Sequence, residues 1–115
     1  ATGKAITNIA SQISADILVV FTHFGKKAKM ISKFRPSCPV VAISDSFDTM
    51  NKLNLYYGIR SYFMEDIDNE DELVNMATEI LKKVGLVKTG SVVLFTAGAP
   101  SPNDGRNSWT RSAII

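Results

Sequence analysis

The stretch Asp16-Ile17-Leu18-Val19-Val20-Phe21-Thr22, running into His23-Phe24-Gly25-Lys26-Lys27, decides the fold. A short, nearly continuous apolar run reads as a strand buried on both faces, the signature of a parallel sheet covered by helices. Gly25 then opens a helix that runs to about Phe34, with Met30, Ile31 and Phe34 inward. Pro36 ends it, because the residue before a proline avoids helical dihedrals. One strand, one glycine turn and one helix make the first unit of an alternating α/β chain.

The same alternation extends in both directions. Upstream, Ala5, Ile6, Ile9, Ala10 and Ile13 paint one face of a helix over 3–14, with Thr2 as its cap. Downstream, Val40 to Ser44 is a second buried strand, and a helix follows over Phe47 to Leu55, capped by Ser46 or Asp45. Ile59 to Met64 is a third strand after the turn at Gly58. Asn69 and Glu72 form a capping box for a helix carrying Leu73, Val74, Ala77, Ile80, Leu81 and Val84, which Gly85 stops. Val92 to Thr96 is the fourth strand, 97–109 a loop rich in Gly, Pro and Asn, and Thr110 to Ile115 a short final strand. Right-handed crossovers put helices on both faces, so the expected fold is a three-layer, doubly wound α/β domain spanning 1–115.

Composition excludes several classes. The 115 residues suffice for one domain, and a net charge of +2 implies no general affinity for nucleic acid or membranes. Cys38 is the only cysteine, so there is no disulfide framework and no cysteine metal site. That fits a reducing, cytoplasmic setting. No apolar run approaches the ~20 residues of a membrane-spanning helix. His23, the only histidine, has no partner at metal-ligand spacing, and no catalytic triad assembles around it. No Walker motif or dinucleotide fingerprint is present. The expectation is no catalytic residue and no metal site in this chain.

Several blocks resemble the C-terminal domain of pyruvate kinase. Ile31-Ser32-Lys33-Phe34-Arg35-Pro36-Ser37-Cys38-Pro39-Val40-Val41-Ala42-Ile43 is similar to that family's "ISKYRPxxPIIAVT" segment. Ala15 to Thr22 resembles "AxAIVVFT", Leu53 to Ile59 resembles "LxLxxGVxP", and Lys88 to Pro100 resembles "KxGDxVVVTAGxP". Their order and spacing carry the likeness over almost the whole chain. It implies a five-stranded mixed sheet in the order 3-2-1-4-5 with strand 5 antiparallel. It also implies a regulatory, subunit-joining domain that does no chemistry. Transfer of phosphate from phosphoenolpyruvate to ADP, with Mg2+ and K+, would belong to a separate catalytic barrel.

Ligands of a doubly wound sheet bind beyond the carboxyl ends of the strands, and a helix start attracts phosphate. The loop at Gly25, Lys26 and Lys27 therefore allows a phosphate site, and the resemblance makes Thr22, Phe24, Gly25, Lys26 and Lys27 the candidate site for a phosphorylated small-molecule effector. The family's "TxSGxTA" loop, which holds a sugar phosphate, matches at Thr22 and Gly25. Phe24 and Lys27 replace hydroxyl residues, so lysine point charges stand where hydroxyl donors are usual. In regulated members of the family the corresponding loop closes over the effector, so the resemblance makes Arg106, presented by the turn at Asp104-Gly105, the candidate for that role. Trp109, Ser112, Ala113, Ile114 and Ile115 are the candidate interface of a homo-oligomer, because a short apolar terminal strand at a sheet edge invites pairing. The rival reading is a free-standing flavodoxin-like protein that binds a phospho-metabolite or nucleotide, or a small enzyme on that fold.

Overall fold

The computed structural model describes residues 2–22, 25–56, 59–65, 69–97 and 109–115. Five strands form one sheet: β1 (Ile17–Phe21), β2 (Val40–Ser44), β3 (Arg60–Phe63), β4 (Val92–Ala97) and β5 (Trp109–Ile114), in the order β3-β2-β1-β4-β5. The first three junctions are parallel, and β5 runs antiparallel to β4. Four helices accompany them: α1 (Thr2–Gln12), α2 (Lys26–Lys33), α3 (Phe47–Tyr56) and α4 (Glu70–Lys83). The expected α/β class and strand order are both present.

Burial explains the apolar runs. Every residue of β1 is buried, as a central strand covered on both faces requires. One face carries Val19, Phe21, Ile43, Val93 and Phe95 under α4 residues Val74, Ala77 and Leu81. The other carries Leu18, Val20, Ala42 and Leu94 under Ile6 and Ala10 of α1, Ala28 and Ile31 of α2, and Leu53 of α3. Full burial of each such aliphatic side chain stabilises the fold by ~1.5–3 kcal/mol. Asp16 ties the two central strands at their start. Its N–H donates to Val92 O (2.8 Å), and its Oδ2 accepts from Val92 N–H (2.8 Å).

The helix boundaries follow local chemistry. Ser46 Oγ accepts the Thr49 N–H at 3.3 Å, so Ser46 rather than Asp45 caps α3. Asn69 Oδ1 accepts from Glu72 N–H at 3.1 Å, one half of the expected capping box. Gly85, at φ 78°, follows the end of α4.

Helix α1 begins at Thr2, whose side chain lies outside what the structure describes. Two expectations are corrected. Ile9 is partly exposed (37%), so the buried stripe of α1 is narrower than its apolar residues suggest. Phe34 is exposed (41%), because α2 ends at Lys33 and Phe34 is its C-cap, past the inward-facing turn.

Candidate functional site

The β1–α2 turn sits where the chain order reverses. From β1 the chain moves outward through β2 and β3, then returns to the opposite side of β1 at β4. The crevice beyond the carboxyl ends of β1 and β4 is the switch point at which such sheets hold ligands. The turn is anchored on both sides of that crevice. The Thr22 N–H donates to Ile43 O of β2 at 2.9 Å. Across the crevice, Lys27 Nζ donates to Ala97 O at the end of β4, also at 2.9 Å.

Gly25 makes the corner possible. Its φ of 82° and ψ of 0° lie in the left-handed region, which L side chains rarely adopt. A Cβ there would meet Leu53 Cδ2 at 3.1 Å, so the turn also packs directly against α3. The Gly25 N–H donates to Thr22 Oγ1 at 2.9 Å. Thr22 thus spends its hydroxyl on the turn itself. Gly25 O accepts the Lys29 N–H at 3.0 Å and starts the helical ladder.

The amino end of α2 has no side-chain cap and no acidic residue in its first turn. Its positive partial charge therefore adds to the charges of Lys26 and Lys27. The two lysines differ. Lys26 is exposed, whereas Lys27 is half-buried, and burial pushes its ammonium below the ordinary 10.5. Lys27 is thus drawn out of the solvent that surrounds Lys26. It lies across the switch point, with a desolvated charge that strengthens attraction for an anion. Phe24, His23 and Arg106 lie outside the described residues.

At the other end of the sheet, β5 presents two different faces. Trp109, Ala113 and Ile115 pack onto the α4-covered core, with Trp109 tilted against Phe21 at 5.7 Å between ring centroids. Trp109 therefore covers the sheet rather than standing free. Ser112 is exposed and Ile114 very much so (76%). The Ile115 N–H donates to Ser91 O and Ile115 O accepts from Gly90 N–H, so Ile115 faces inward. Strand alternation then turns the backbone groups of Thr110, Ser112 and Ile114 to the outer edge. Arg111, whose charge would be expected to blunt that edge, is turned away from it. Its guanidinium pairs with Asp71 and Glu70 at the start of α4.

The remaining sequence candidates have structural roles. Cys38 is buried and its thiol is pushed up by that burial, the reverse of what a reactive thiolate needs. Glu70, Asp71 and Glu72 occupy the first turn of α4, where acidic residues complement the helix dipole. Among the described residues no three His, Cys, Asp or Glu side chains gather as metal ligands, and no helix is long and apolar enough to cross a membrane. The Lys27–Ala97 bond spans 70 positions, and no local pattern announces it. Thr22, three residues before a left-handed glycine, is the one part of this geometry with a local signal.

Comparison with known proteins gives a consistent family. The family model described as pyruvate kinase, alpha/beta domain, matches residues 1–111. Pyruvate kinase of Geobacillus stearothermophilus is 27% identical over 115 residues, covering 100% of this chain and 20% of that protein. Pyruvate kinase of Sporosarcina psychrophila is 31% identical over the same span, again 20% of its length. That of Bacillus licheniformis is 30% identical over 99 residues, 86% of this chain and 17% of that protein. The chain thus spans about a fifth of the length of the curated relatives it matches.

Proposed function

The chain belongs to the pyruvate kinase alpha/beta domain family, and from that premise we propose that it is a regulatory and subunit-joining domain without catalysis of its own. The observation that carries the regulatory reading is the β1–α2 turn. It puts an uncapped helix start and a half-buried Lys27 on one crevice between β1 and β4, with the exposed Lys26 preceding Lys27 in the first turn of the helix. Such a site suits a phosphorylated small metabolite. Thr22 and Gly25 shape the turn, while Lys26 and Lys27 supply charge. Phe24 and Arg106 complete the proposed effector site. With hydroxyl donors replaced by lysines, recognition rests on charge more than on directed hydrogen bonds.

Phosphate transfer from phosphoenolpyruvate to ADP, with its Mg2+ and K+, belongs in this reading to a catalytic barrel, which needs ~250 residues. That barrel would be the domain's partner in a cytoplasmic enzyme of glycolysis. Subunit joining would run through the outer edge of β5, where Ser112 and Ile114 are exposed and Arg111 is drawn aside. Antiparallel pairing of two such edges about a two-fold axis closes the assembly.

The test is thermal shift of the isolated chain against a panel of sugar phosphates and nucleotides. At least one phosphorylated compound is expected to raise the melting temperature, and the Lys26→Ala/Lys27→Ala variant to lose that rise. A variant that binds as tightly as the parent would sink the site. Phosphotransfer by the pure chain would sink the non-catalytic reading.

A further inference from the structure

The two edges of the sheet are not alike. β5 bounds one side and β3 the other. On β3 the Met64 N–H donates inward to Ser44 O at 2.9 Å, so alternation turns the backbone of Ser61 outward, along the free edge. That outward position is already filled. Asn54 of α3 accepts the Ser61 N–H with Oδ1 at 2.9 Å, and its Nδ2 donates to Ser61 O at 3.3 Å. One carboxamide thus makes both bonds that a neighbouring strand would make to that residue. Among the described residues the buried Ser61 hydroxyl has no hydrogen-bond partner. The Asn54 carboxamide is spent on the Ser61 backbone rather than on that hydroxyl.

β3 is only four residues long, Arg60–Phe63. Inward positions alternate with outward ones, so filling Ser61 removes half of what the edge offers. At Phe63 the ring of Phe47, from the start of α3, lies stacked at 3.9 Å between centroids. Helix α3 therefore touches β3 from both of its ends, through a ring stack at Phe63 and through backbone hydrogen bonds at Ser61.

We propose that Asn54 is a plug on the β3 edge, confining strand addition to β5. A sheet with two open edges assembles into open strings, whereas a sheet with one assembles only into closed pairs. The closed pair rests on the β5 reading above. The plug itself does not.

The experiment compares the parent chain with Asn54→Ala, each alone and combined with Ile114→Lys. Circular dichroism checks the fold, sedimentation velocity over a concentration series reads assembly, and amide hydrogen exchange reads Ser61. The expected result is a folded Asn54→Ala chain whose Ser61 amide exchanges about ten-fold faster, the loss of one hydrogen bond of this kind. It should also form assemblies larger than any the parent forms. A folded Asn54→Ala chain that assembles like the parent overturns the plug. If the parent is monomeric throughout, the β5 reading fails, yet Asn54→Ala is still expected to pair through β3. Its staying monomeric overturns the plug as well. Should Asn54→Ala not fold, the parent's own exchange decides: protection at Ser61 upholds the plug, and exchange as fast as an unstructured amide overturns it.

Discussion

Replacing Gly25 by alanine tests the corner on which the proposed effector site turns. Two costs add. Holding an alanine at φ 82° costs ~1 kcal/mol or somewhat more. The new Cβ would also lie 3.1 Å from Leu53 Cδ2, 3.3 Å from Cγ and 3.4 Å from Cδ1. Leu53 is fully buried, so it has little room to retreat, and overpacking of this kind costs ~1–3 kcal/mol. The reduced freedom of the unfolded chain returns ~0.5 kcal/mol, leaving a net loss of ~1.5–3.5 kcal/mol. A chain of 115 residues loses ~4 °C of Tm per kcal/mol, so the drop should be ~6–14 °C. Gly85 is the control. Its φ is 78°, but a Cβ there would meet nothing within 4 Å. Gly85→Ala therefore carries the dihedral cost alone and should lose ~2–4 °C. Thermal unfolding followed by circular dichroism separates the two. Equal losses in both variants would refute the claim that the turn packs tightly on α3.

Three further outcomes are expected. Asp16→Ala should lose ~1–2 kcal/mol in urea unfolding by freeing the Val92 N–H, and Asp16→Asn, which keeps an acceptor, should lose less. Ile114→Lys should leave the melting temperature nearly unchanged, because Ile114 is exposed, while removing any concentration dependence in sedimentation. Lys27 should make stability pH-dependent. Burial lowers its folded pKa below the unfolded 10.5, so the native state binds fewer protons as pH nears that value, and stability rises with pH there. The stability of Lys27→Met relative to the parent should accordingly be greatest at neutral pH and fall as pH climbs toward 10.5; a gap independent of pH would contradict the burial.

The elements that pack by period were legible before the structure. β2 has the expected bounds because Val40 to Ser44 is apolar, short and bracketed by Pro39 and Asp45. The glycine turn was legible too, since a left-handed corner before a helix has few other residues to use. Phe34 departs from its expected inward place because hydrophobic spacing does not tell where a helix stops, and α2 stops one residue earlier. The fate of Lys27 and of Arg111 was not legible at all. Each side chain is positioned by a partner from a distant segment: Ala97, 70 residues away, and Asp71, 40 residues away. Asn54 was invisible for a different reason. Its partner is only 7 residues off, but the bond exists only because α3 lies along the edge of β3.

The pairing of β1 with β4 sets Ile17 beside Val93 and Phe21 beside Ala97, at the centre of the sheet. These partners are 76 residues apart, as in the Asp16–Val92 bond. Closing so long a loop costs entropy before any contact repays it, so the central pair cannot nucleate folding locally. During synthesis, β1 and β2 can meet while β4 is still unmade, leaving one side of β1 as a bare apolar edge. At ~5–20 residues per second that interval lasts several seconds. The chain is therefore most vulnerable to aggregation while it is being made, and its strand order sets the length of that exposure.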